Sequence, residues 1–175
     1  MSTITLITGA PGAGKSTISK LLANRFGKCL IINVDELRGM MTVGASTPDR
    51  GWTSDAYTEF RLARSVAIYM ARLYANEGID VIVDDPCVPE DFAENYEPLF
   101  KSQPVGRVLL LPNCEAVRAR LAIRGNPWDH VLINKIGELY LRLSAMDKEG
   151  WIVIDSSEWS IERTLTEVIV QLHLS

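Results

Sequence analysis

The 175-residue chain predicts a three-layer α/β/α sandwich on a five-stranded parallel sheet. Three observations carry that prediction. Short apolar runs alternate with segments of helical hydrophobic period, and the alternation repeats five times. The run "IDVIVDD" at 79–85 is apolar enough for a strand covered on both faces. The stretch "TLITGAPGAGKST" passes from an apolar run through a glycine-rich turn straight into a helical pattern, the start of a βα unit. Right-handed crossovers then join parallel strands, and ligands sit beyond the strands' carboxyl ends.

The elements follow in order. Residues 4–8, with Thr3, read as the first strand. Residues 15–26 read as a helix with Ile18, Leu21, Leu22 and Phe26 on one face and Gly27 as its C-cap. "CLIINV" (29–34) is a second strand. In 54–77, Tyr57, Phe60, Ala63, Ala67, Met70 and Tyr74 recur at helical spacing, and Gly78 ends the helix. The third strand is 79–85, residues 89–102 are helical, and "RVLLL" (107–111) is a fourth strand stopped by Pro112. Helices over 114–124 and 130–148 flank "GNPWD". "WIVID" (151–155) is the fifth strand, and Ser160 caps a last helix that buries Ile161, Leu165, Val168, Ile169 and Leu172.

Composition narrows the class. A 47% hydrophobic, 23% charged chain of this length is one globular domain's worth, spanning 1–175. The net charge of -4 and pI near 5.2 disfavour broad nonspecific nucleic-acid binding, although a local basic groove remains compatible. Cys29, Cys87 and Cys114 are odd in number and form no CxxC pair, so neither a disulfide framework nor a zinc site is indicated. No basic leader and no long apolar run is present, and a reducing, cytoplasmic setting without a membrane is expected.

Gly9-Ala10-Pro11-Gly12-Ala13-Gly14-Lys15-Ser16 fits G-x-x-x-x-G-K-[ST] without a mismatch. The glycines let backbone N–H groups turn inward around phosphate oxygens, and the following helix aims its N-terminus at the same anion. Lys15 reaches the β- and γ-phosphates, Ser16 ligates Mg2+, and Thr17 adds a donor near the α-phosphate. ATP with Mg2+ is therefore the expected ligand.

Three classes of such proteins compete. A GTPase needs D-x-x-G and N-K-x-D, and neither "DDPC" nor "NKIG" fits. A ring ATPase needs a helical lid domain, for which there is no room, and "INVDE" lies too close behind the first helix to serve as its Asp-Glu strand. A kinase remains. Asp35, just past the second strand, is a carboxylate suited to accept a proton from an attacking hydroxyl. Arg38 shares its helical face and suits an anionic group on the acceptor. The bland alternative is that Asp35 is a helix N-cap and Arg38 its solvated neighbour.

Asp84 and Asp85 end the third strand, where adjacent carboxylates are expensive unless paired or near a metal. Their side chains point to opposite faces, so one holds Mg2+ and the other orients substrate, or both serve the turn before Pro86. In "VRARLAIRGNPWDH" (117–130), Arg120 and Arg124 share a helical face ahead of a Gly-Asn-Pro break. That pattern suits a lid which closes over transferring phosphates, with Arg124 ahead of Arg120; a solvated basic face is the alternative. The long polar loop at 40–53 shapes an acceptor pocket, with Arg50 and Trp52 as candidate contacts. Trp128 and Trp159 read as packing residues, and His130 and His173 have no assigned role.

Taken together, "GAPGAGKST", "NVDELR", "VIVDD", Arg120 to Gly125 and "VIDSSEWSIERTLTEVI" resemble the small P-loop kinases grouped with zeta-toxin, chloramphenicol phosphotransferase and polynucleotide 5′-kinase. The resemblance covers nearly the whole chain and implies a P-loop fold of nucleoside-kinase type. It implies Lys15 and Ser16 on ATP, Asp35 as general base and Arg38 on a substrate phosphate. It also implies Arg124 as lid arginine, Asp85 on the substrate side and the segment near Asp155–Trp159 beside adenine. Asp84 is left for the metal. The expected activity is transfer of a γ-phosphoryl group to a hydroxyl of a small molecule or a nucleic-acid 5′ end. A nucleotide-driven binding or regulatory module and a toxin kinase are the rival readings.

Overall fold

The computed structural model describes residues 2–47, 51 and 53–174. Arg50 and Trp52, the two candidate contacts of the long loop, lie outside the described residues. Strands β1 (Ile4–Gly9), β2 (Cys29–Asn33), β3 (Asp80–Asp84), β4 (Val105–Leu110) and β5 (Ile152–Ile154) form one parallel sheet in the order β2-β3-β1-β4-β5. All six residues of β1 are buried, as its central place requires. The chain leaves β1 toward β2 on one side and later crosses to β4 on the other. The carboxyl end of β1 is thus the switch point where a ligand crevice opens.

The period of two in the strands sorts the core. Ile7, Ile82, Val108, Leu110 and Ile154 point to one face, where α1 (Lys15–Ala23) and α8 (Ile161–Gln171) bring Ile18, Leu22 and Val168. Ile4, Leu6, Ile32, Val81 and Val83 point to the other and meet α3 (Ser54–Asn76) through Phe60, Ala63, Ala67 and Ala71. On that face Leu109 meets α6 (Cys114–Arg124) and α7 (Asp129–Ala145) through Val117, Leu121, Ile136 and Leu143. The three-layer α/β/α sandwich with a five-stranded parallel sheet is the observed fold.

The departures have local causes. Helix α1 stops at Ala23, and the tighter bonds Arg25 N–H to Leu22 O and Phe26 N–H to Ala23 O end it, so Gly27 is not its cap. A short helix α2 (Val34–Gly39) follows β2 directly. Its cap is Asn33, whose side chain accepts the Glu36 N–H at 3.0 Å, so Asp35 does not fill the cap position. The helix read over 89–102 is three pieces: α4 (Pro89–Asp91), a π-helical turn (Phe92–Tyr96) and α5 (Glu97–Ser102). Pro98 has no N–H for the Glu94 carbonyl, and the turn widens there. Strand β4 starts two residues earlier than the apolar run suggested, because Gly106 gives room to Leu172. No helix among the described residues is long and apolar enough to cross a membrane.

Candidate active site

Between β1 and α1 the backbone takes conformations that side chains disfavour. Gly12 has φ 83°, and a Cβ there would stand 2.9 Å from Leu121 Cγ. Gly9 has φ 147°, and a Cβ would lie 2.4 Å from the Leu110 carbonyl oxygen. Gly14 is the left-handed N-cap of α1, whose first turn carries no acidic side chain and so leaves its N–H groups open to an anion. Lys15 folds back over the loop, donating to Gly9 O at 3.0 Å and Ala10 O at 3.3 Å. Pro11, Lys15 and Ser16 line a cavity of about 570 Å3, Ala13 is buried beneath it, and Thr17 is exposed on the first turn of α1.

The end of β3 separates the two carboxylates. Asp84 faces the cavity, and its Oδ2 accepts the Ser16 hydroxyl at 2.5 Å and the Asn33 amide at 3.1 Å. Burial raises its pKa against the pull of Lys15 and of its two hydrogen bonds. Asp85 turns the other way. It is fully buried and bonded to Arg64 (Nε–Oδ2 2.7 Å) and the Tyr96 hydroxyl (2.8 Å), and it lines no part of the cavity. The substrate-side expectation for Asp85 is corrected accordingly: its acceptor oxygens already serve Arg64 and Tyr96. Arg64 Nη1 also holds Asp91 at 2.9 Å. Burial opposes the charge on Arg64, yet Asp85 and Asp91 outweigh it and raise the guanidinium pKa. Asp91 in turn accepts the Val88 N–H at 3.0 Å, which fixes the cavity wall of Pro86, Val88 and Asp91.

Across the cavity, α2 presents Asp35 and Arg38. Arg38 donates from Nη1 to Ser46 O at 3.1 Å and to Glu59 at 3.3 Å, and its guanidinium lies 4.7 Å from the Phe60 ring centre. Glu59 also accepts the Ser46 N–H and hydroxyl, so it ties the described end of the long loop to α3. The pKa of Glu59 falls: burial opposes the shift, but the Ser46 and Arg38 hydrogen bonds win.

The two arginines of α6 take separate positions. Arg120 lies outside the cavity lining and braces backbone, donating to Ala13 O at 3.4 Å and Ser156 O at 2.7 Å. Arg124 lines the cavity and forms a two-pronged bond with Asp129, one prong Nε–Oδ2 at 3.0 Å. Bonds from Arg124 hold the Asp129 carboxyl below the usual carboxylate range. Trp128 also lines the cavity at the mouth, where packing alone was foreseen; Trp159 packs against the α1–α8 core and carries Arg163 at 4.3 Å over its ring.

Several lining residues escaped the sequence reading. Asn33 was counted as strand, and Asp91 as part of a plain helix. Leu132, Lys135, Leu139 and Arg142 come from one face of α7, with Glu138 beside them. Their three-and-four spacing was visible, but a mixed charged stripe on a helix reads as a solvated face.

A phosphate loop at the switch point of a parallel sheet, with Ser16 and Asp84 joined beneath it, defines a P-loop nucleotide-binding protein of kinase-like fold. A family model described as an AAA domain matches residues 4–132, and the chain belongs to that family. Among solved structures it is similar to a sugar kinase from a Janibacter species, at 18% identity and TM-score 0.70, over 100% of this chain and 96% of that one. It is similar to the tunicamycin resistance protein of Deinococcus radiodurans, at 19% identity and TM-score 0.73, over 100% and 98%. It is also similar to shikimate kinase from Bacteroides thetaiotaomicron, at 22% identity and TM-score 0.62, over 98% and 99%. No curated protein matches.

Proposed function

We propose that this protein is an ATP-dependent kinase that transfers the γ-phosphoryl group to a hydroxyl of a small molecule. The observation that carries the reading is the shared cavity. Lys15, Ser16 and Asp84 stand at the phosphate-loop end, and Asp35 and Arg38 face into the same space from α2. A pure nucleotide holder has no need of that second group. Phe60, Val88, Trp128, Leu132 and Leu139 add apolar walls, and this lining together with a net charge of -4 favours a compact acceptor over a polynucleotide. The three similar solved structures, a sugar kinase, a tunicamycin resistance protein and a shikimate kinase, support a small-molecule acceptor.

The residues also fit Mg2+. Ser16 and Asp84 offer oxygen donors, and among the described residues no group of three or more His, Cys, Asp or Glu side chains could hold an ion alone. Ser16 and Asp84 would hold a cation that drew its remaining ligands from phosphate and water, the habit of Mg2+. Bound there, it would offset charge on the phosphate oxygens. Asp35 takes the proton of the acceptor hydroxyl as its oxygen attacks the γ-phosphorus, and ADP departs. Lys15 and Arg124 stabilise charge on the transferring group, and Arg38 orients the acceptor.

The test is transfer of label from γ-labelled ATP to a panel of amino-diols, nucleosides, sugars and 5′-hydroxyl oligonucleotides. A labelled small molecule is the expected result, and label on oligonucleotides alone would reject the small-molecule reading. Asp35→Ala should lower transfer by about 10²–10⁴-fold while ATP still binds. Unchanged transfer removes Asp35 from the mechanism. Lys15→Ala should weaken ATP binding in calorimetry, and full retention overturns the phosphate-loop assignment.

A further inference from the structure

We infer that Asp129 is a positioning residue that holds the guanidinium of Arg124 with its outer edge turned toward the transferring phosphoryl group. The inference rests on the reading of Arg124 as the lid cation. It starts from an asymmetry in the pair. The Arg124 side chain is 41% exposed, whereas that of Asp129 is 5% exposed. The carboxylate is the fixed member. It occupies the first turn of α7, where the helix N-terminus favours a negative charge. Its Oδ2 accepts the Asn126 N–H at 2.9 Å, and its own N–H donates to Asn126 O at 3.0 Å. Asp129 therefore closes the α6–α7 turn from both sides, just past the left-handed Gly125 cap with φ 67°.

Arg124 ends α6 on a long side chain with several rotatable bonds. Left alone, its guanidinium would sample many orientations over the cavity mouth. The bond to Asp129 uses Nε and Nη2. A guanidinium has five N–H donors in a planar fork, so Nη1 and the outer N–H of Nη2 point away from that carboxylate. That edge is the one able to meet a phosphoryl group in two-pronged fashion. Both residues line the cavity that Lys15 and Ser16 also line. The opposite role, a counter-ion that competes with phosphate for Arg124, predicts the opposite sign, and this makes the inference testable.

The experiment compares binding of MgADP with and without aluminium fluoride, by calorimetry on the full chain. Asp129→Asn keeps an acceptor for the Asn126 N–H but turns a donor amide toward Arg124. The expected result is a ten- to hundredfold loss in the affinity gained from fluoroaluminate, with binding of MgADP alone unchanged. Asp129→Glu keeps the charge and should recover part of that gain. The loss in Asp129→Asn should be confined to fluoroaluminate binding, whereas a merely structural carboxylate would lower the affinity for MgADP alone to the same degree. Arg124→Ala separates the two readings. If Arg124→Ala loses nothing, Arg124 is not the lid cation and the inference falls with that role. If Arg124→Ala loses the gain but Asp129→Asn keeps or increases it, the lid reading stands and positioning by Asp129 is overturned. Should Asp129→Asn fail to fold, Asp129→Glu carries the test: its longer side chain displaces the guanidinium, and a fluoroaluminate gain equal to or above that of the wild type overturns positioning as well.

Discussion

Arg64→Leu takes the cation out of a site where two carboxylates stay behind. Arg64 is 1% exposed, Asp85 0% and Asp91 3%, so water cannot replace the lost partner without opening the core between α3 and β3. Breaking a buried ion pair from one side costs about 3–5 kcal/mol, because a desolvated charge is stranded. Loss of the guanidinium over Phe60, 5.2 Å from the ring centre, adds about 0.5–1 kcal/mol, which the apolar Leu largely offsets. A net loss of about 4 kcal/mol follows, a large share of the ~5–15 kcal/mol that holds such a domain. It should lower the melting temperature by about 10 °C at this chain length. Urea unfolding followed by tryptophan fluorescence measures it, with an unchanged m-value showing that both end states keep their compactness.

Two further arms sharpen that measurement. Arg64→Leu/Asp85→Asn removes one stranded charge and should be more stable than Arg64→Leu alone. The deficit should also depend on pH with a definite sign. In Arg64→Leu the buried Asp85 carboxyl has a folded-state pKa above its unfolded value of about 3.9, so protonation favours the fold at low pH. Burial already raises the Asp85 pKa against the pull of Arg64, so removing Arg64 raises it further. The stabilisation is lost as pH climbs above the unfolded value through the raised folded one, and the deficit grows in the same direction. A loss below about 1 kcal/mol with no pH dependence would mean the pair behaves like a surface salt bridge, and the reasoning would be refuted.

Gly12→Ala places a methyl 2.9 Å from Leu121 Cγ at φ 83°, so ATP affinity should fall at least tenfold in calorimetry; recovery of part of it in Gly12→Ala/Leu121→Ala assigns the loss to that contact. Asp84 should set the acid limit of cation binding. Burial raises its pKa, a proton competes for the same oxygens, and Mg2+ affinity of the ADP-bound protein should fall as pH drops through that raised value. Asp84→Asn should flatten the profile, and an equal slope in both proteins would exclude Asp84 as the titrating ligand.

The sequence was most legible where chemistry is local. The phosphate loop compresses strand, turn, cation and helix N-terminus into residues that are neighbours in the chain. The strand period puts Asp84 and Asp85 on opposite faces, but only the structure shows that Asp84 is the one that meets Ser16. The partner of Asp85 could not be placed. Arg64 lies 21 residues away on another element, and only the register of α3 against β3 decides which carboxylate it meets. The same holds for α7, whose lining residues acquire a role from the cavity they face. The broken helix after Pro89 depended on Pro98 and on the anchoring of Tyr96 at Asp85, one local signal and one distant contact.

The close approach of Gly12 and Leu121, with Arg120 braced on Ala13, makes the phosphate loop and α6, the root of the proposed lid, one mechanical unit. On the proposed kinase reading, the acceptor side is assembled elsewhere, from α2, the start of α3, the Pro86–Asp91 wall and the middle of α7. Such a division gives inheritance two modules with different tolerances. Substitutions on α7 or in the long loop can redirect the acceptor while the nucleotide-holding unit keeps its geometry. Change within the loop–lid unit is constrained at every contact it shares. Divergence among chains of this architecture should therefore accumulate on one side of the cavity first.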